Sequence, residues 1–299
     1  MNNMLKGWGI WMIKVAIGQI TPKTCDKQAN TEKMDKWIQE AASEGAKLVV
    51  FPELVLTGYN CGDHFFDEAE LIPGPATQHF SELAAELGIY IIWGMPEKSI
   101  DGVLYNAAAL VGPEGFVGKW RKNTLPGHAS DTIGPGAFPD RKFFKPGEHA
   151  PIYQTAIGKI GLLICYDIWF PELARLLTLK GADFIVGISG SPAPEKDIFE
   201  PIVKARAAEN AINFIYTNLV GKEGNTTYWG GGFVVSAGDP ERKVPGTPIL
   251  CKAPYTGESL TFAEIDPEAA RKIRPAFPVI RDLTTHMYEE LAEVHRVLT

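Results

Sequence analysis

The chain has 299 residues, 45% hydrophobic and 22% charged, which suits a large buried core and argues against disorder. Thirty-six acidic residues against 29 basic ones give a formal charge of −7, and no basic block exceeds Lys119-Trp120-Arg121-Lys122, so the clustered footprint of a nucleic-acid binder is missing. No apolar run approaches the ~20 residues that cross a bilayer. The four cysteines, Cys25, Cys61, Cys165 and Cys251, stand far apart without a C-x-x-C pair, which points away from a disulfide scaffold or zinc site and toward a reduced, cytoplasmic setting.

In chain order, residues 1–12 carry one cation and scattered apolar residues, a poor signal peptide; they read as an N-terminal extension to one domain over 13–299. Ile13 to Ile20 alternates as a strand and runs into Thr21-Pro22. Asn30 to Ala42 has helical spacing of Met34, Trp37, Ile38 and Ala41, stopped by Gly45. Ala46 to Phe51 reads as a buried strand ending at Pro52-Glu53. Ser81 to Leu87 is helical, Ile89 to Gly94 a strand, and Tyr105 to Gly112 pairs across Pro113-Glu114-Gly115 with Phe116 to Trp120 as a hairpin. Lys159 to Cys165 is a buried strand, Pro171 to Leu179 a helix opened by proline, and Ala182 to Ile188 the next strand. Helix 200–211, strands 213–219, 232–236 and 260–265, and a terminal helix near 287–297 complete the reading. No linker or solenoid repeat divides the chain. The expectation is an α/β fold of four layers built from two halves with mixed sheets.

Three segments put a reactive side chain at a strand end or hairpin edge: Phe51-Pro52-Glu53, Lys119-Trp120-Arg121-Lys122 with Leu125-Pro126 after it, and Ile164-Cys165-Tyr166-Asp167. In open α/β sheets, sites gather beyond the carboxyl ends of strands. Singly, each segment has an ordinary explanation: a cysteine ending an apolar strand packs inertly more often than it attacks, a Glu after Pro caps, and a lysine is solvated.

Together, with Leu54 and Thr57-Gly58-Tyr59 following the first segment, Gly118 opening the second, and Cys165-Tyr166-Asp167-Ile168-Trp169-Phe170-Pro171-Glu172 forming the third, the chain resembles the nitrilase superfamily of carbon–nitrogen hydrolases. The resemblance runs from about Ile13 to Arg281. It takes in Gly94-Met95-Pro96-Glu97, Leu104-Tyr105-Asn106-Ala107, Phe144-Lys145-Pro146-Gly147, Leu179-Lys180-Gly181-Ala182-Asp183 and Arg206-Ala207-Ala208-Glu209-Asn210. It implies a four-layer α-β-β-α sandwich, a homodimer or higher homo-oligomer formed through an outer helical layer, and a Glu–Lys–Cys triad carried here by Glu53, Lys122 and Cys165. Cleaving an amide needs a nucleophile, a proton for the leaving nitrogen and stabilisation of the oxyanion. Cys165 would supply the first, Glu53 the second, and Lys122 with the Tyr166 N–H the third. Lys122 would also favour the thiolate. No metal or cofactor is required.

Asp140 stands seven residues before Gly147, where the family often has a glutamate that positions the attacking groups or the lysine; it also reads as a turn residue after Pro139. Glu97 resembles a family residue near the lysine, or caps a loop. Tyr59, Tyr166, Trp169, Phe170, Ser189 and Ser191 would rim the substrate pocket, and Arg206, Glu209 and Asn210 would form an internal network. His128 and the 127–137 segment would lie over the mouth. The family's usual Gly-Gly-Ser is Gly230-Gly231-Gly232, one hydroxyl short. The Cys-Tyr-Asp context resembles branches acting on amides and N-carbamoyl compounds, with Arg175 or Lys196 in reach of a substrate carboxylate. A nitrilase and a catalytically silent binding or scaffold member are the alternatives.

Overall fold

Along the first strands, burial alternates with period two between two different apolar clusters, and this alternation sets the layers. The computed structural model describes residues 11–127, 140–239, 242–246 and 248–298. The segment 128–139, with His128 and most of the 127–137 loop, and residues 1–10 of the extension lie outside the described residues.

The first half comprises β1 (Ile13–Gln19), α1 (Lys27–Ser43), β2 (Leu48–Val50), the short α2 (Phe65–Glu68), α3 (Pro75–Leu87), β3 (Tyr90–Lys98), β4 (Leu104–Gly112), β5 (Gly115–Arg121) and the short α4 (Asp140–Phe143). The second comprises β6 (Ile152–Thr155), β7 (Gly158–Ile164), α5 (Pro171–Leu179), β8 (Phe184–Ser189), α6 (Lys196–Asn210) and β9 (Asn213–Asn218). It continues through the hairpin of β10 (Val220–Glu223) and β11 (Thr226–Trp229), then β12 (Phe233–Val235), the two-residue pair β13 (Gly238–Asp239) and β14 (Val244–Pro245), and β15 (Ile249–Lys252). Last come β16 (Ser259–Ile265), α7 (Ala269–Ile273) and α8 (Thr285–Leu298).

Two six-stranded sheets result, ordered β16-β1-β2-β3-β4-β5 and β15-β12-β9-β8-β7-β6. In each, parallel pairs sit at the centre, β1–β2–β3 and β7–β8–β9, with antiparallel strands outside. Ile13, Val15, Ile17, Leu48, Val50, Ile92 and Leu110 point inward to meet Ile160, Leu162, Val186 and Val234 of the second sheet. The intervening Ala16, Val49, Ile91, Trp93 and Ala109 face Met34, Ile38 and Ala41 of α1 and Phe80 and Ala84 of α3. On the far side, α5 packs on β7 and α6 on β9. The order is helix, sheet, sheet, helix, as expected.

Several boundaries differ from the sequence reading for local reasons. The helix expected at Ser81 begins at Pro75, since proline in a first helical turn loses no hydrogen bond and has a suitable φ. The strand expected to stop at Gly94 continues through Pro96 to Lys98, pairing Pro96 with Asn106 and Glu97 with Tyr105. Only Leu48–Val50 of the 46–51 run enters the ladder, and Cys165 falls outside β7, in the 3-10 turn Cys165–Trp169. Strands β6 and β15 and the β10–β11 hairpin were not anticipated. The expected helix Pro171–Leu179 matches α5 at both ends.

Candidate active site

Glu53 leaves the end of β2 just before Leu54, whose φ of 48° turns the chain sharply back. That return passes so close to β3 that a Cβ on Gly94 would lie 2.3 Å from the Leu54 nitrogen and 2.6 Å from the Glu53 Cα, so only glycine fits. The Glu53 carboxylate is fully buried. Its Oε1 accepts from Lys122 Nζ at 2.7 Å and Asn106 Nδ2 at 2.7 Å, and its Oε2 from the Gly190 N–H at 2.7 Å.

Lys122 follows β5 and is also fully buried. Its ammonium bridges Glu53 and Asp140, 2.7 Å from each. Asp140 opens α4 and is held further by Asn106 Nδ2 at 3.2 Å and by the Tyr59 hydroxyl, which donates to it. Asp140 is thus a lysine partner rather than a plain turn residue. Its shorter side chain still reaches, because Tyr59 and Asn106 close on it from two sides. Burial alone would depress the Lys122 ammonium; the carboxylates of Asp140 and Glu53 outweigh it and hold the lysine well above its usual value. For Glu53, burial dominates and raises the carboxyl, with the nearby Lys122 only partly offsetting it.

Cys165 sits at the C-terminal end of β7 with a φ of 48°, a conformation costly for a residue with a Cβ. Parallel register carries the chain to Ser189, just past the Ile164–Ile188 pair, and to Asn218 opposite Ser189. The thiol is buried and raised well above its usual value, first by burial and then by the Glu53 charge, with Lys122 pulling the other way. Lys122 favours the thiolate as expected, but burial and the Glu53 charge together outweigh it. Burial thus favours the thiol form of Cys165, with the Glu53 carboxylate acting on it.

Asp167 fastens the cysteine turn to the lysine strand. Its Oδ1 accepts from Asn123 N, Thr124 N and Thr124 Oγ1 at 3.0, 2.9 and 2.8 Å; its Oδ2 accepts from Trp120 Nε1 and Ile164 N at 2.8 and 3.0 Å. It and Asn106 were quoted in the sequence motifs without a role. The signal was present, a buried-type segment with a polar residue at fixed offset from the reactive one, but their partners are distant in sequence.

The expected pocket residues divide. Tyr166 and Phe170 line a cavity of about 580 Å³ together with Asn123, Thr124, Leu125, Arg141, Phe144 and Pro146. Tyr59 is buried with its hydroxyl on Asp140, and Ser191 Oγ bridges Trp229 Nε1 and Glu195 Oε2 at 3.1 and 2.7 Å. Trp169 packs edge-on against Phe199, 5.9 Å between ring centres. Ser189 is buried next to Cys165 and lowers its thiol, and the Tyr216 hydroxyl is buried close by, raised by burial and by the Cys165 charge. Glu97 is not a Lys122 neighbour: its buried carboxylate is taken by Lys119 and by Arg121, the latter at 2.7 Å through two nitrogens. Alternation along β5 sends these cations to the face opposite Trp120 and away from Lys122. Arg175 donates to Glu209 O at 2.5 Å and Lys196 lies 4.1 Å from the Tyr255 ring centre. Each cation thus has a partner outside the Glu53–Lys122–Asp140 array. Arg206 binds the Ile168 and Trp169 carbonyls, each at 2.8 Å, as an internal network residue. A side chain on Gly232 would meet Ile17 Cγ2 at 2.9 Å and the Tyr216 carbonyl at 3.0 Å, so this position has no ready space for the family's serine. Among the described residues no group of three or more His, Cys, Asp or Glu side chains is placed to hold a metal ion.

The family model described as carbon-nitrogen hydrolase matches residues 14–275. A protein of Pyrococcus abyssi named nitrilase is 37% identical over 259 residues, covering 85% of this chain and 90% of its own. The omega-amidase NIT2 of Homo sapiens is 33% identical, covering 88% and 92%. The crystal structure of a carbon-nitrogen hydrolase from Helicobacter pylori G27 superposes with a TM-score of 0.81 at 27% identity, covering 94% of this chain and 98% of that one.

Proposed function

Because this chain belongs to the carbon–nitrogen hydrolases of the nitrilase superfamily, we propose that it cleaves a small amide or N-carbamoyl compound through a Cys165 thioester. The observation that carries this reading is the buried Glu53–Lys122–Asp140 array with the Cys165 thiol in its field.

In the proposed sequence, Glu53 takes the thiol proton as Cys165 sulfur attacks the carbonyl carbon, so charge appears on sulfur only as it is consumed. The developing oxyanion lies against the Lys122 ammonium and the Tyr166 N–H at the start of the short turn, donors already in place before the charge forms. Glu53 returns the proton to the leaving nitrogen, and ammonia or amine departs. It then deprotonates the water that opens the thioester. Asp140, Asn106 and Tyr59 keep the lysine aimed, and the Gly190 N–H holds the other carboxylate oxygen. The same reading takes residues 13–299 as one hydrolase domain, supported by the family match over 14–275. It also gives the protein a self-associating outer layer, supported by exposed Leu176 and Leu179 on α5 and Ile198 on α6.

Ammonia release across matched amides, N-carbamoyl compounds and nitriles tests the assignment. Turnover of an amide or carbamoyl compound above that of the matching nitrile is expected. A nitrile preference would move the reading to the nitrilase alternative, favoured by the name of the 37% identical relative. No hydrolysis by correctly folded protein would leave the binding or scaffold reading.

A further inference from the structure

Two of the four cysteines, remote in sequence and outside the catalytic cluster, meet in the fold. Cys25 precedes Asp26, whose carboxylate accepts from Ala29 N at 3.0 Å to cap α1. Cys61 precedes the 3-10 turn Gly62–His64. Their sulfurs stand 2.6 Å apart as free thiols, inside the distance of mere van der Waals touching.

The backbone on both sides is fixed. Cys25 N donates to Thr57 O at 2.7 Å, and Cys61 Sγ lies 3.1 Å from the same oxygen. Glu223, from β10, accepts from Tyr59 N, Asn60 N and Thr24 Oγ1 at 3.0, 3.1 and 2.7 Å. A carboxylate from the other half of the chain thus clamps the residues beside each cysteine. Cys25 is partly exposed and Cys61 buried, an arrangement of one thiol open to attack and one behind it.

We propose that Cys25 and Cys61 are a redox-active dithiol that closes to an intramolecular disulfide by exchange with a small disulfide such as oxidised glutathione. Cys25 thiolate attacks one glutathione sulfur, forming a mixed disulfide and releasing one reduced glutathione. Cys61 thiolate then attacks the Cys25 sulfur and releases the second. Two thiol protons leave, the protein is oxidised by two electrons, and one glutathione disulfide is reduced. The bond closes a loop containing α1, β2 and Glu53, and ties down the turn whose Tyr59 hydroxyl holds Asp140. Its main effect is to restrict the unfolded chain across that loop.

The test uses the full-length protein, freed of reductant and incubated with oxidised glutathione; it reads mass and melting, so it is independent of which bond the enzyme hydrolyses. Expected are the loss of two hydrogens without a retained glutathione at Cys25 or Cys61, a peptide map joining Cys25 to Cys61, and a rise in unfolding temperature of roughly 5 °C, all reversed by dithiothreitol. Cys25→Ser and, separately, Cys61→Ser should each melt at the same temperature with and without oxidised glutathione. A persistent glutathione adduct on Cys25, both thiols still open to alkylation, or a different pairing would overturn the proposal. A disulfide formed without a rise in melting temperature would overturn its stapling role.

Discussion

Lys122 is fully buried, and the two carboxylates on either side hold its ammonium form. Lys122→Met leaves Glu53 and Asp140 buried without their cation; urea unfolding should register about 3–5 kcal/mol of lost stability. Cys165→Ala removes one sulfur from a site with no comparable debt, so ammonia release should vanish while the unfolding midpoint stays near the parent's. The pH profile follows from the same arrangement. Glu53 acts as a base only when ionised, and burial lifts its pKa above the usual glutamate value; activity is therefore lost as pH falls through that raised value. The acid limb of kcat/KM should lie above the ordinary glutamate range and disappear in Glu53→Gln together with turnover. Lys122, held well above its usual value, should contribute no alkaline limb below that raised value. A profile falling only in the ordinary glutamate range would reject Glu53 as the titrating base.

At the scale of elements, the site depends on how strand ends are tied together. Asp167 alone accepts hydrogen bonds from five donors spread over β5, the segment after it and the end of β7. Asp167→Asn turns one oxygen into an NH2 that must face donors, Trp120 Nε1 and Ile164 N. The expected loss is about 2 kcal/mol in chemical unfolding, with kcat falling because the cysteine turn loses its tether to the lysine strand. Gly94→Ala should reduce kcat severely, since its methyl would drive the Glu53 backbone away; parent-like kcat would show that the β2 end can yield. Sequence patterning located these elements well where burial was one-sided, as along α1 and α5. It missed β6, β15 and the β10–β11 hairpin, short strands whose residues are ordered by partners rather than by their own periodicity.

At the scale of the molecule, two sheets stacked face to face bring Glu53 and Lys122 of the first against Cys165 of the second. The outer helices leave Leu176, Leu179 and Ile198 exposed. If they seat a second copy, Leu176→Glu with Leu179→Glu should shift sedimentation toward monomer without altering the far-ultraviolet spectrum. Unchanged sedimentation of an oligomer would place its interface elsewhere.

The sequence by itself determined the fold class, the family and the segments bearing Glu53, Lys122 and Cys165, because strand periodicity and short motifs are local properties of the chain. Only the tertiary structure decided that Asp140 completes the lysine's cage, that Glu97 belongs to Lys119 and Arg121, that burial pushes the Cys165 thiol up, and that Cys25 meets Cys61. Each depends on burial and on partners tens to hundreds of residues away; a charge's partner and a thiol's proton affinity are set by what the fold packs around them, which spacing along the chain does not encode.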